Sequence, residues 1–390
     1  MQYDHHAPLS ERERLDMYAA LRACPVAHSE LYGGFHVVSR YDDVVEVLRD
    51  WQTYASGDGV FLPDLTEGVR TAALEQDPPE HTPTRLLYGT MLSRTNIDAA
   101  RADIRAIARG HVERLAATGG DFVTEVAQKV PVEAIARMVG FSGDTVAQVR
   151  YLTEQLWARL TGLDEVVDPE APPLSSVFRR ELQARRDEPR DDFLTRLTEL
   201  TPDDLGGQPV TERFVVAFLT GAMVAGHETT MNASANLAHQ LLVDTELQDA
   251  LAADVSLISG AIDESLRHRA PVQGFVRTAT RDTEIHGCPV SAGERVMVVF
   301  ASANHDPDRW DEPEVFDHTR NAVGHVGFGW GIHRCIGAPF AKIELQILFE
   351  ELLRYRMTAA GPAVEGVPTS GGAFLGMASL PVTLELRAGH

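Results

Sequence analysis

The chain has 390 residues, 44% hydrophobic and 24% charged, a composition typical of a soluble globular protein rather than of a disordered or fibrous one. Its 35 basic and 57 acidic side chains give a net charge of −22, which argues against binding to nucleic acid or to an anionic membrane surface, because both need a clustered basic face. At about 150 residues per domain, the length by itself suggests two or three domains.

The N-terminal part of the chain predicts a strand, a helix and a long loop. Its first ten residues lack the basic and apolar segments of a signal peptide, which favours a cytoplasmic protein. Residues 34–38 predict a short strand, and residues 41–49 have the apolar periodicity of a helix. Residues 52–75 mix glycine, aspartate and proline with apolar residues and predict an irregular loop, which at this length is usually functional.

Helical patterns dominate from about residue 83 to residue 160. Within residues 99–117 the apolar side chains recur on one side of the predicted helix. Arg101, Arg105 and Arg109 are spaced four apart, so they share another face. These three arginines, together with Arg334, are a candidate positive docking surface on an acidic protein, and the alternative is an ordinary solvated helix face.

The middle of the chain predicts one helix that is longer than the others. It runs from about Glu212 to beyond Leu241, after turn-rich segments at 163–175 and 201–210, and a further helix ends near His268. The longest apolar stretch, about residues 214–226, is shorter than the roughly 20 residues that span a bilayer.

The last third of the chain changes to alternating patterns. Residues 276–285 and 294–300 predict a small sheet, and residues 304–321 predict a loop rich in aspartate, proline and glutamate. A last long helix begins near Pro339, and the alternation at residues 382–386 predicts a final strand. Because no internal repeat or low-complexity linker interrupts the chain, we expect one helix-rich unit with minor β-structure.

The chain has three cysteines, too few for a disulfide framework and consistent with a reducing compartment. Cys24 and Cys288 have no distinctive surroundings. Cys335 ends the glycine-rich run F-G-W-G-I-H-R-C-I-G, directly before a predicted helix. The free N–H groups and the dipole of a helix N-terminus favour a thiolate, so the segment suits a metal-bound sulfur. The alternative is a buried structural cysteine beside a tight turn.

This run, residues 328–337, matches every fixed position of the F-x-x-G-x-H-x-C-x-G loop, and the chain thereby resembles the cytochrome P450 family of haem-thiolate monooxygenases. The resemblance extends from about residue 36 to the C-terminal strand. It implies the mainly α cytochrome P450 fold with small β-sheets, in a single domain over residues 1–390. It also implies haem (heme) b as the cofactor, with the Cys335 thiolate as the axial iron ligand that favours O–O cleavage, and with Phe328, His333 and Gly337 beside the haem.

Glu264 and Arg267 are three residues apart on a predicted helix and can face each other. By themselves such pairs are usually solvated and contribute less than about 1 kcal/mol. The resemblance implies that they form the family's buried E-x-x-R pair, with Arg320 as the second arginine. The expected role is a structural ion network that supports the cysteine loop.

The segment A-G-H-E-T-T at residues 225–230 lies in the long helix. His227 and Glu228 begin an H-E-x-x-H pattern, but Met231 stands where zinc would need its second histidine. The resemblance instead implies the family's A-G-x-(D/E)-T segment. It places Ala225 beside the haem, Thr229 in hydrogen bonding to bound dioxygen or its water, and Glu228 in relaying protons from solvent. Gly226 would weaken the helix and leave room for a ligand.

The resemblance also implies a set of haem-carboxylate ligands. His81 belongs to a D-P-P-x-H segment, and Arg85 follows it on the same helical face. Arg277 matches an arginine at the start of a strand, and His333 completes the set. Cationic donors suit carboxylates, although each residue alone could equally form a surface ion pair. Four residues depart from the family pattern: Pro83 and Gly89, which we expect to delay or bend the helix after His81, and Phe340 and Lys342.

By the same resemblance, separated segments, including helices around 155–185, line a substrate pocket. The candidates named there are apolar, which fits a mostly hydrophobic, medium-sized molecule held by a few polar groups, while ordinary core packing is the alternative for each. They are Phe61, Leu62, Phe218, Ala222, Val272, Phe275, Val276, Phe374 and Leu375.

No G-x-G-x-x-G fingerprint for flavin or nicotinamide follows a predicted strand, so electrons must come from another protein. The resemblance implies a ferredoxin, reduced by a ferredoxin reductase, that serves a cytoplasmic monomer using O2 and a small organic substrate. The expected reaction is the insertion of one oxygen atom, as hydroxylation or as epoxidation, demethylation or coupling. One alternative is a peroxide-driven enzyme on the same fold, against which Glu228 and Thr229 argue. Another is a non-catalytic haem sensor, for which the sequence offers no output domain.

Overall fold

The structure, a computed structural model, describes residues 2–24, 26–64, 70–161, 167–366 and 372–388, and side chains 157–161 are not described. About 52% of the chain is helical, so the mainly α prediction is confirmed. The helices of the described residues are α1 Glu11–Ala23, α2 Tyr41–Arg49, α3 His81–Met91, α4 Arg94–Thr118, α5 Lys129–Val139, α6 Asp144–Thr161, α7 Leu174–Asp187, α8 Phe193–Thr198, α9 Glu212–Val243, α10 Thr245–Ala253, α11 Ile258–His268, α12 Phe300–Ala303 and α13 Ala338–Leu352.

The strands of the described residues form small sheets. The largest has the order β1-β2-β8-β5-β3, in which only the β2–β8 pair is parallel. A three-stranded sheet has the order β4-β12-β9, and β6–β7 and β10–β11 are two-stranded. The strands are β1 Ala27–Ser29, β2 Phe35–Val38, β3 Tyr54–Ala55, β4 Gly120–Asp121, β5 Phe275–Ala279, β6 Thr283–Ile285, β7 Cys288–Val290, β8 Arg295–Val298, β9 Tyr355–Ala359, β10 Val364–Glu365, β11 Met377–Ser379 and β12 Pro381–Leu386.

Helix α9 lies in the largest hydrophobic core, which joins residues from Ala72 to Leu384. Its N-terminus is capped by Thr211, whose hydroxyl accepts a hydrogen bond from the N–H of Phe214. Its 32 residues are long and apolar enough to cross a bilayer by composition alone, but half of its most apolar window is buried inside the fold. Burial among α5, α7 and α11 explains its all-round apolar character without a membrane.

Several predicted elements are confirmed, among them the helix over residues 41–49, the long helix and the last strand. The alternating run 276–285 is two strands in different sheets, and the run 294–300 ends at Val298 because residues 300–303 turn into α12. Parts of the predicted loops, residues 65–69 and 162–166, lie outside the described residues.

Candidate active site around Cys335

The loop that carries Cys335 is a tight backbone structure. The N–H of Cys335 donates to the carbonyl of Phe328 at 2.8 Å, and Gly329 and Gly331 have φ angles of +66° and +68°. Gly331 opens a 3-10 turn that contacts α2, where a Cβ would collide with the carbonyl oxygen of Leu48. Glycine is therefore required at Gly331 for both its backbone angle and its close approach.

Cys335 lies just before the start of α13. The N–H groups of Gly337 and Ala338 hydrogen-bond its sulfur and, with Arg85, favour the thiolate. Desolvation by the surrounding protein nevertheless raises the pKa of the thiol, although the Cys335 side chain is exposed at the surface of its loop. The N–H groups at the start of α13 thus favour the thiolate as predicted, and a coordinated cation would favour it further.

Two of the expected haem-carboxylate ligands lie side by side. The imidazole rings of His81 and His333 have centroids 4.6 Å apart. His333 hydrogen-bonds the carbonyl of Ala73 through Nδ1 at 3.2 Å, and its Nε2 lies 3.5 Å from Asp77 Oδ1. Arg85 donates to the carbonyl of Arg334 at 2.6 Å, which ties α3 to the cysteine loop.

Arg277 is a buried guanidinium on β5. It donates to the adjacent carbonyl of Val276 at 2.9 Å and makes no ion pair with a described carboxylate. Burial lowers its pKa to about 10, so it stays charged at neutral pH. A guanidinium has five N–H donors, so this residue suits an anionic partner.

Burial disfavours the charged form of both histidines. Burial first, then His333 and Arg85, lowers the pKa of His81 to about 4, and burial also lowers the pKa of His333. Burial thus favours the neutral form of both imidazoles, whereas Arg277 stays charged, and the expectation that all four groups serve as cationic donors to the haem carboxylates stays a prediction. His81 Nε2 is buried and lacks a hydrogen-bond partner among the described residues, so this donor set fits a haem with two carboxylates.

Asp77 organises this region, a role that the sequence analysis missed. Its carboxylate accepts hydrogen bonds from the N–H groups of Ser56 and Gly57, the latter at 2.7 Å, while it faces His333. These bonds and the His333 ring keep the pKa of Asp77 below its usual value although burial raises it. The D-P-P-x-H segment was the available signal.

The structure brings Glu264, Arg267 and Arg320 into one buried ion network. Arg267 donates two hydrogen bonds, of 2.7 and 2.8 Å, to the carboxylate of Glu264, and both side chains are 0% exposed. Arg320 Nε lies 3.2 Å from the same carboxylate, and the N–H of Asp317 donates to it at 3.0 Å. The network connects α11 to the loop before Cys335, because Arg267 also donates to the carbonyl of Pro313.

The central residues of α9 occupy different faces. Thr229 donates its hydroxyl to the carbonyl of Ala225 at 2.8 Å, and Glu228 is buried. The role predicted for Gly226 is wrong, because α9 is unbroken there and a Cβ would lie 3.2 Å from Ile135 of α5. Gly226 therefore permits close packing of two helices rather than making room for a ligand.

Three candidate substrate residues form an aromatic cluster. The ring of Phe61 lies 5.6 Å from that of Phe275 and 6.3 Å from that of Phe374, measured between centroids. Val272 pairs with Phe374 in a β-bridge, and the N–H of Leu375 donates to Pro271 on the same side. We name Phe61, Phe275 and Phe374 the aromatic triad.

Other candidates for the substrate pocket are buried. Phe218 and Val276 are 0% exposed, which favours the alternative of ordinary core packing, and their contact with substrate stays a prediction. The ring of Phe218 stacks on Tyr88 at 3.9 Å. Leu62 and Ala222 are 7% exposed, about the same as Phe374 and Leu375 at 6%, so burial does not decide between core packing and a substrate contact for these four residues. Residues 162–166 of the proposed 155–185 segment are not described.

The arginines of α4 do not form a free positive surface. Arg105 and Arg109 pair with Glu351 of α13 at 2.8 and 3.0 Å, and Arg101 pairs with Asp98. These carboxylates offset the charge that a docking partner would meet, so the prediction for this helix face is not supported. In the described part of the chain, no three His, Cys, Asp or Glu side chains gather into a metal site.

Comparison with known proteins gives a consistent family assignment. The cytochrome P450 family model matches residues 132–360. Cytochrome P450 107B1 of Saccharopolyspora erythraea is 32% identical over 363 residues, covering 88% of this chain and 87% of the relative. The monooxygenase PikC of Streptomyces venezuelae is 30% identical, covering 86% and 82%. The solved structure of CYP109Q5 from Chondromyces apiculatus has a TM-score of 0.85 at 28% identity, covering 100% of this chain and 99% of that one.

Proposed function

This chain belongs to the cytochrome P450 monooxygenase family, which binds thiolate-ligated haem, and we propose that it inserts one oxygen atom of O2 into a mostly hydrophobic, medium-sized organic substrate. The observation that carries the proposal is Cys335, held in its glycine loop at the start of α13. The apolar aromatic triad supports the choice of substrate class.

Different residues around Cys335 would bind the iron, the ring and the carboxylates of the haem. Cys335 would ligate the iron, and Phe328, Gly337 and Ala225 would lie beside the ring. Arg85 and Arg277 would bind the carboxylates by charge, and His81 and His333 would donate Nε2–H groups in their protonated forms, which the nearby haem carboxylates would favour. Bound there, the haem supplies an iron centre whose thiolate ligand favours O–O cleavage.

Two side chains of α9 would manage protons. The Thr229 hydroxyl donates to Ala225 at 2.8 Å, which leaves its oxygen lone pairs available to accept a proton-carrying partner. Glu228, whose side chain is largely buried, would deliver protons from solvent to that hydroxyl. Proton delivery at these two groups favours the O2 reaction over a peroxide reaction, since peroxide already carries its protons.

Electrons would come from a separate ferredoxin and its reductase, because the sequence has no flavin or nicotinamide fingerprint. Arg105 and Arg109 are already paired with Glu351, so they are poor candidates for the charges that bind a ferredoxin. Arg334 is exposed and lies next to Cys335, and it is the better candidate.

The first test is the difference spectrum of the reduced protein with carbon monoxide, for the wild type and for Cys335→Ala. We expect the Soret position of a thiolate-ligated haem in the wild type and its loss in the variant. A spectrum typical of histidine ligation, or an unchanged variant, contradicts the proposal. Cys288→Ala is the matched control, and its spectrum should equal that of the wild type.

The second test separates the O2 reaction from the peroxide alternative. A substrate found by its haem spectral shift is turned over with ferredoxin, reductase and O2, or with hydrogen peroxide alone. Thr229→Ala should lower product per electron consumed in the first system and change the second little. Turnover with peroxide only would establish a peroxygenase instead, and no turnover in either system would favour a sensor.

A further inference from the structure

Two adjacent histidines near the N-terminus converge on one backbone carbonyl. The Nε2 atoms of His5 and His6 each lie 2.8 Å from the carbonyl oxygen of Leu62. A carbonyl oxygen can only accept, and it has two lone pairs, so both imidazoles donate to the same atom. Their ring centroids lie 4.4 Å apart, and His5 is buried. We name His5 and His6 the histidine clasp.

The histidine clasp is itself anchored to the rest of the fold. Ser29 of β1 donates its hydroxyl to the carbonyl of Tyr3 at 2.8 Å, and Tyr32 donates to the carboxylate of Asp4 at 2.8 Å. The ring of Tyr32 also packs on both clasp imidazoles, with centroids 5.1 and 4.9 Å away. These contacts hold residues 3–6 in place, so the histidine clasp can in turn hold the Leu62 carbonyl.

The histidine clasp also touches a second loop. Gly372 has a φ of +73°, and a Cβ there would lie 2.6 Å from the carbonyl oxygen of His5, so the chain passes directly against the clasp. Phe374 follows two residues later, and Phe61 directly precedes the clasped Leu62. Two members of the aromatic triad are thus on loops that contact the N-terminal segment.

We propose that the histidine clasp is a positioning element of the substrate site. By fixing the Leu62 carbonyl, His5 and His6 hold Phe61 in its edge-to-face contact with Phe275, so that the triad presents a preformed wall to an apolar, aromatic-bearing substrate. This inference rests on the proposed function, because it takes the aromatic triad as a substrate wall.

The test uses two probes on the ferric holoenzyme, imidazole and an imidazole carrying a biphenyl group, both titrated by the Soret shift. Imidazole reports access to the iron, whereas the biphenyl group adds contact with the apolar wall. The variant His5→Ala/His6→Ala should raise the Kd of the biphenyl probe about tenfold and leave that of imidazole unchanged. His28→Ala, an exposed histidine on β1, is the control and should change neither Kd.

A double-mutant cycle shows whether the histidine clasp acts through Phe61. In a Phe61→Leu background, loss of the histidine clasp should have no further effect on the biphenyl probe. His5→Gln/His6→Gln keeps donors and should stay within about threefold of wild type, which covers the case that the alanine variant folds poorly. Equal Kd values for wild type and the alanine variant, or additive effects with Phe61→Leu, overturn the inference. A wild type without a thiolate spectrum overturns the proposed function instead.

Discussion

Replacing Gly331 by alanine should destabilise the cysteine loop more than its small size suggests. Gly331 has a φ of +68°, which costs an L-residue about 1–2 kcal/mol. The new methyl group would also collide with the carbonyl oxygen of Leu48 and lie 3.3 Å from the Cα of Arg49, both of which are backbone atoms at the C-terminal end of α2. Overpacking against backbone adds about 1–3 kcal/mol.

The matched control is Gly293→Ala. Gly293 has a φ of +88°, but a Cβ there meets no described atom within 4 Å, so it incurs the backbone cost alone. Urea unfolding followed by circular dichroism gives both free energies of unfolding, and absorbance gives haem content. We expect Gly331→Ala to lose about 2–5 kcal/mol and to bind less haem, against about 1–2 kcal/mol and full haem for the control. Equal losses in the two variants would refute the collision with Leu48.

Three further predictions follow from buried charged or titratable groups. Glu264→Ala leaves Arg267 buried without its counter-ion and should lower the free energy of unfolding by about 3–5 kcal/mol in urea titration; a loss below about 1 kcal/mol contradicts the network's importance. Arg277→Gln should speed haem transfer to excess apomyoglobin about tenfold or more, whereas an unchanged rate means that this guanidinium binds no haem carboxylate. Burial lowers the pKa of His227 from 6.5 to about 4. Between these two pH values the unfolded chain protonates this histidine and the folded chain does not. The free energy of unfolding therefore falls as the pH drops from 6.5 to about 4, by up to about 3 kcal/mol. His227→Gln should flatten that part of the stability–pH curve, and an equally steep curve would show that other groups control it.

The parts of the site that the sequence could predict are those whose residues lie close together in the chain. The cysteine loop needs glycines, a cysteine and a following helix within ten residues, so its pattern is readable without the fold. Glu264 and Arg267 likewise lie within one turn of a helix, and their side chains form the ion pair that a spacing of three residues predicts. The limits of α2 and α9 also follow from local periodicity.

The tertiary structure alone decided which apolar and charged groups face one another. Phe61 and Phe218 are equally apolar in sequence, yet Phe218 is covered by Tyr88 while Phe61 joins the aromatic triad. Periodicity assigns a residue to a face of its own element but does not say which distant element covers that face. The bond between His5 and Leu62 spans 57 residues, so only the folded chain reveals it. The charge of the protein is likewise only partly determined by sequence. The net charge of −22 by itself argues against a broad basic surface. That Glu351 offsets the charges of Arg105 and Arg109 depends on the packing of α4 against α13 and is visible only in the structure.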